Sequence, residues 1–304
     1  ITTDTYLDDY TKKIQRHVPM LTKEAVAKVI RIRRSSSPGP DGIPFSIFRD
    51  LIDIVVQPLF LFMLHLSHGN RANKSFNYAN LFFFPKDETL RPDKHRPISV
   101  CNTDNRLIAN IIRQSISPAI LDILEKTQRA FVPDADTYDN INFYNSRFCQ
   151  KLKAGEEYHI LFHDFEKAYD SVSRSYLFAL MRKVGLPQWA INVIERLYTN
   201  VQAFPILREN HSTSITMPNG LRQGCPLSPL LFLLALDPLL TVLPKEMDTQ
   251  AYCDDVSGGA GKLAELACVV RSIEKFNKAS GCSSNLSKLF LLSTKEVTRD
   301  MIIT

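Results

Sequence analysis

Apolar residues recur at helical spacing early in the chain. Ala25, Val26, Val29 and Ile30 share one face of a segment spanning 22–34, with Thr22 placed to cap its start. The run Ser35-Ser36-Ser37-Pro38-Gly39-Pro40-Asp41-Gly42 ends it, because proline breaks a helix and glycine weakens one. A second helix is predicted over 44–68, apolar on much of its surface and therefore buried. A short strand follows at 79–84, then a basic loop running to Ser99. Helical spacing returns over 105–114, 117–125 and 138–153.

The second half alternates more quickly. Residues 158–164 are mostly apolar between polar flanks and read as a strand. Helices are predicted over 174–184 and 187–200, with Pro187 suited to a first turn. Residues 201–207 and 214–217 form a candidate hairpin. An apolar helix over 226–243 is bent or interrupted at Pro238. A hairpin built on 250–253 and returning from Val256, a helix over 262–280 and a strand over 286–292 complete the chain. Mixed helices and strands of this kind give an α/β (α+β) fold class. The first 20 residues are polar and weakly patterned.

Carboxylates sit at two of these strand ends. Asp164 closes the apolar strand, where a carboxylate is costly unless it meets a cation or donors. Asp254 and Asp255 lie at the tip of the later hairpin. An isolated Asp-Asp pair is most simply a solvated turn. Two carboxylate strand ends about 90 positions apart can instead be halves of one site assembled by the fold. Glu166 and Asp170 read as solvated residues after the strand. Between the two strand ends, Gly220 and Gly224 flank Leu221-Arg222-Gln223, and a helix N-terminus follows, a geometry open to anions.

Composition narrows the class only a little. With 304 residues, 44% of them hydrophobic and 23% charged, the chain can bury a substantial core. The net charge of +5 permits a nucleic-acid partner without requiring one. Basic residues cluster at Arg31, Arg33 and Arg34, and at Lys86, Arg91, Lys94 and Arg96; either cluster can be a solvated face. Six scattered cysteines with no Cys-x-x-Cys pair fit a reducing compartment better than a disulfide framework or a zinc site. The most apolar run, 54–66, is too short to span a bilayer, and no signal peptide is visible. The chain starts at Ile1, which points to a fragment of a longer polypeptide.

Five motifs occur in order: Ser37-Pro38-Gly39-Pro40-Asp41-Gly42-Ile43, Arg96-Pro97-Ile98-Ser99, the run from Phe162 through Asp164 and Tyr169 to Val172, the run from Gly220 through Gln223 to Pro229, and Ala251-Tyr252-Cys253-Asp254-Asp255. Together they resemble the reverse transcriptase domain of non-LTR (LINE-type) retrotransposons, over about residues 20–295. The resemblance implies a right-hand polymerase with an antiparallel palm sheet. Residues 1–19 would be an N-terminal extension, 20–155 mostly fingers and 156–295 mostly palm. Residues 296–304 would lead into a thumb that is not recognisable in the chain.

It also implies roles. Asp164, Asp254 and Asp255 would be catalytic metal ligands for Mg²⁺, with Mn²⁺ a possible substitute. Lys86 and Arg96 would meet the triphosphate of an incoming dNTP. Phe165, Tyr169 and Gln223 would line the nucleotide site, with Tyr169 able to exclude a 2′-hydroxyl. Arg222 and Lys288 would meet nucleic acid, and Asn285 belongs with Lys288 in an Asn-x-x-Lys segment. The implied partners are an RNA template, a DNA primer and dNTPs, with no membrane. The protein of an active element would be nuclear or cytoplasmic.

Three departures from the family pattern matter. Cys253 replaces the usual alanine. Val256-Ser257-Gly258-Gly259-Ala260-Gly261 is poor strand material, so a short or loose return strand is expected. Ala130-Phe131-Val132-Pro133-Asp134-Ala135-Asp136 lacks the usual turn glycine and arginine, and its two acids would repel a template phosphate. These changes keep open a degenerate, non-catalytic domain that binds nucleic acid or scaffolds a complex. A two-metal nuclease would explain the carboxylates but not Gln223 or Tyr169.

Overall fold

The computed structural model describes residues 14, 18–32, 35–88, 91, 94–133, 135–207, 210–211 and 213–297. Arg33, Arg34, Asp134, most of the 1–19 extension and most of the 296–304 tail lie outside them. Two compact units form, Ile1–Ile123 with Leu177–Leu230, and Leu124–Tyr176 with Leu231–Thr304.

The first unit holds α1 (Lys23–Ile32), α2 (Phe45–Asp50), α3 (Ile52–Ser67), β1 (Tyr78–Pro85), β2 (His95–Cys101) and α4 (Thr103–Ile123). It continues with α7 (Arg174–Lys183), most of which lies in this unit, α8 (Gln188–Leu197), β5 (Gln202–Leu207), β6 (Asn210–His211) and β7 (Ile215–Thr216). Its sheet runs β2-β1-β5-β6, with β7 paired to β5. The stretch expected as a basic loop is in part a strand, β2, antiparallel to β1. Pro97 is tolerated there because β2 is the edge strand. The two helices expected over 105–125 are one, α4, which runs through Pro118. Burial on nearly every side holds it together despite the missing donor. The single helix expected over 44–68 is broken at Leu51 into α2 and α3.

The second unit holds α5 (Thr137–Ala154), β3 (His159–His163), β4 (Phe165–Glu166) and α6 (Ala168–Ser171). It also holds most of α9 (Ser228–Val242), then β8 (Asp248–Tyr252), β9 (Asp255–Ala260), α10 (Leu263–Ser280), β10 (Ser283–Ser284) and β11 (Phe290–Ser293). Its antiparallel sheet runs β11-β3-β9-β8. Leu266, Val269, Ile273, Phe276 and Ser280 are the buried stripe of α10, at steps of three and four.

The expected loose return strand is instead a full interior strand. All five β3 residues and all five β8 residues pair with β9. A Cβ on Gly259 would lie 2.3 Å from the Tyr158 hydroxyl, and one on Gly258 would lie 3.0 Å from Val269. The Tyr158 hydroxyl donates to Asp248 at 2.7 Å. The Tyr144 hydroxyl reaches the Asp248 and Ser257 carbonyls at 2.6 and 2.8 Å. Glycine is present because the strand's neighbours occupy the side-chain space, and the paired backbone on both edges offsets its entropy.

Candidate active site

Asp164 follows β3 directly, and its side chain is only 15% exposed. Asn285 Nδ2 donates to its Oδ2 at 2.9 Å, and Lys288 Nζ lies 3.0 Å from the same oxygen. The Asn285 amide also donates to the Asp164 carbonyl at 2.9 Å. A short 3₁₀ turn (Leu286–Lys288) carries the lysine back onto the carboxylate. Lys288, expected at a phosphate, here neutralises Asp164.

The second half of the site is the β8–β9 hairpin. Tyr252 and Asp255 are its last pair, so Cys253 and Asp254 form a two-residue loop. Such loops need a positive φ, and Cys253 supplies it at 56°. Burial, then the charge of Asp254, push the Cys253 thiol up to about 12, so it remains a neutral spacer. Burial raises the Asp255 carboxyl, and Asp254 and then Asp164 raise it further, while Lys288 opposes them. Asp255 thus lies within electrostatic reach of both Asp254 and Asp164, all three in one unit.

A hard divalent cation suits this donor chemistry: oxygen ligands only, with negative charge concentrated. Among the described residues, no group of three or more His, Cys, Asp or Glu closes to ligating geometry. Asp164 already carries a cationic partner in Lys288.

Tyr169 stacks on Phe232, with ring centroids 4.9 Å apart and planes 13° from parallel. Its hydroxyl lies 3.6 Å from Cys253 Sγ, which brings it beside the hairpin loop. The Phe165 ring corrects an expectation. It is 3% exposed and packs against His163 and Phe276, at 4.6 and 5.5 Å. Pairing of β4 with β10 accompanies this inward placement, and the ring is core rather than nucleotide-facing. Glu166 is exposed, as expected. Asp136 is the N-cap of α5, in a capping box with Asp139, and Arg129 pairs with Asp139 at 3.2 Å. That acid is a helix cap, a local reason for its presence.

In the other unit, Lys86 follows β1 and Arg96 pairs across from Phe84 in β2. Both basic side chains are exposed. The Ser99 amide donates to the Gln223 carbonyl at 2.7 Å, fixing the Gln223 loop to β2. Arg222 is the second correction. It is fully buried, donates to Asn105 Oδ1 at 3.1 Å and lies over the Tyr198 ring at 5.2 Å. It braces the loop from inside and is not a nucleic-acid contact.

One residue escaped the sequence reading. Gln128 is 3% exposed and bonds both backbone groups of Cys253, the amide at 3.0 Å and the carbonyl at 3.3 Å. A glutamine outside any periodic element reads as surface, so nothing in the pattern marks it.

A family model described as reverse transcriptase (RNA-dependent DNA polymerase) matches residues 84–299. The chain is 24% identical over 282 residues to an uncharacterised 149 kDa protein of transposon TX1 from Xenopus laevis. It is 28% identical over 279 residues to the retrovirus-related Pol polyprotein of the type-2 retrotransposable element R2DM from Drosophila melanogaster. A third relative, the Pol polyprotein of element R2 from Popillia japonica, is 23% identical over 287 residues. These alignments cover 88%, 87% and 90% of the chain but only 22%, 26% and 39% of the relatives. The fold is similar to apo telomerase from Candida tropicalis truncated of its C-terminal domain. There the TM-score is 0.58 at 14% identity, covering 84% of this chain and 57% of that one. Telomerase from the same organism in complex with a TWJ fragment of telomeric RNA gives 0.56 at 11% identity, covering 83% and 45%. The motif order, the carboxylates gathered on an antiparallel sheet and these matches agree: the chain belongs to the reverse transcriptase family, as a reverse transcriptase domain of the non-LTR retrotransposon type.

Proposed function

We propose that this chain is catalytically competent and extends a DNA 3′ end on an RNA template by two-metal nucleotidyl transfer. The observation that carries the reading is the strand pairing of β3 with β9, His163 opposite Val256, which puts Asp164 at the strand end next to the Asp254–Asp255 turn. Mg²⁺, when bound, would supply a lowered pKa at the primer 3′-hydroxyl and neutralise triphosphate charge. Asp164, Asp254 and Asp255 would hold it. Lys86 and Arg96 would grip the triphosphate, arginine as a bidentate donor and lysine as a point charge. Gln223 would lie along the nucleotide sugar. Tyr169, kept in place by its stack on Phe232, would exclude a 2′-hydroxyl.

The test is primer extension on poly-rA with dTTP and Mg²⁺. Asp254→Asn is expected to lower incorporation by at least about a hundredfold, the upper end of what losing a mere outer-shell partner costs. A well-folded parent chain, supplied with its flanking segments, that incorporates nothing defeats the reading and favours a non-catalytic domain. Equal activity of parent and variant defeats the assignment of Asp254.

A further inference from the structure

We propose that Gln128 is the positioning residue of the Asp254–Asp255 turn, setting where both carboxylates project. The inference rests on the metal site proposed above. Thr127 to Arg129 runs parallel along the outer edge of β8, with the Ala251 amide donating to the Thr127 carbonyl at 2.9 Å. The Arg129 amide donates to the Ala251 carbonyl at 3.1 Å. Beyond Ala251 the main-chain ladder stops, and the Gln128 side chain continues it. Its Oε1 accepts from the Cys253 amide at 3.0 Å, and its Nε2 donates to the Cys253 carbonyl at 3.3 Å. The same Oε1 accepts from Ala130 at 3.0 Å, which fixes the amide in turn.

A primary amide carries the same donor and acceptor as a peptide group, so Gln128 serves Cys253 as a neighbouring strand would. This matters at Cys253 in particular. Its φ of 56° is one that non-glycine residues adopt only when the surroundings impose it. A second contact at the turn, Tyr169 Oη to Cys253 Sγ at 3.6 Å, involves a weakly bonding thiol and reaches the side chain rather than the backbone groups that Gln128 holds. Asp254 and Asp255 follow Cys253 directly, so a change in its φ would move both.

The experiment compares parent, Gln128→Met, Cys253→Gly and the double variant, with Asp254→Asn to identify cation binding at this site. Three quantities are read: Mn²⁺ affinity by calorimetry, amide hydrogen exchange at Cys253 and Asp254, and dTTP incorporation. Gln128→Met is expected to weaken Mn²⁺ binding about tenfold and to speed exchange at both amides. Glycine adopts positive φ without strain. The double variant should therefore recover Mn²⁺ affinity to within about threefold of Cys253→Gly alone. Parent-like Mn²⁺ affinity in Gln128→Met overturns the proposal, as does a double variant no better than Gln128→Met. If Gln128→Met fails to fold, Gln128→Asn retracts the amide by one methylene and must give the same order of effects in milder form. A parent chain that binds Mn²⁺ through Asp254 yet incorporates no dTTP defeats the polymerase reading and leaves the role of Gln128 standing. A parent that binds no Mn²⁺ overturns both.

Discussion

The Cys253 turn and the Gln223 loop solve the same backbone problem differently. Each sets a candidate site side chain beside a residue of positive φ, Cys253 at 56° and Gly224 at 102°. At Gly224 a Cβ would lie 2.6 Å from the Ser99 carbonyl oxygen, a main-chain atom that is itself held in β2. Only glycine fits there. At Cys253 a side chain is present, and the conformation is imposed from outside by Gln128. Where the neighbour is backbone, a single position carries the constraint and the sequence has to display it. Where the neighbour is a side chain, two positions share it, and they stand 125 residues apart in the chain.

The comparison makes unequal demands on the two loops. Gly224→Ala is expected to cost about 3 kcal/mol or more, from the carbonyl clash and the disfavoured φ together. Urea denaturation measures it, and a loss under about 1 kcal/mol would place both loops in the same class. The next largest effect concerns Asp237, whose Oδ1 accepts from the Glu125 amide at 2.7 Å and anchors the segment that leads to Gln128. Burial pushes its carboxyl up to about 7, with the charge of Glu125 adding to the rise. The folded chain therefore binds this proton more tightly than the unfolded chain, whose aspartate titrates near about 3.9. Stability from this group is highest at low pH and falls as pH rises through that window, by roughly 2–3 kcal/mol between pH 5 and pH 8. Asp237→Asn should flatten that slope, measured as urea midpoints at the two pH values; an unchanged slope removes Asp237 from the account. The smallest effect is Cys253→Ala, expected within about 1 kcal/mol of the parent because the positive φ remains and Gln128 still holds it. A loss as large as that of Gly224→Ala would show that the thiol, not the amide clamp, supports the turn.

Much of the fold was legible. The stripe from Leu266 to Phe276 and the apolar β3 carry the right periods, and the hairpin of β5 with β7 pairs as its turn-flanked runs predict. The proximity of the three aspartates was legible because each stands in a recognisable local context, and the pairing of β3, β9 and β8 brings their segments side by side. The failures share one cause, which is that tertiary contacts reversed a local preference. Gly258 and Gly259 argue against a strand until Tyr158 and Val269 fill the space above them. Pro118 argues for a helix break until burial outweighs the missing hydrogen bond. Arg222 reads as a surface cation, yet Asn105 and the Tyr198 ring receive it in the core. Phe165 is an error of burial, an aromatic expected at a ligand and found in the core, whereas the buried Gln128 drew no expectation at all because no pattern marks it.

The Lys288–Asp164 pair gives cation loading a particular character. A metal ion bound at Asp164, as proposed above, would not add to an open carboxylate; it would displace an ammonium group already in contact with it. Loading would then be an exchange of one cation for another of higher charge. The lysine so released, on a side chain 65% exposed to solvent, would be available to an anion at the moment the carboxylate is taken. Occupancy of one charge site would thereby ready another of opposite preference, through one flexible side chain and without any movement of the sheet.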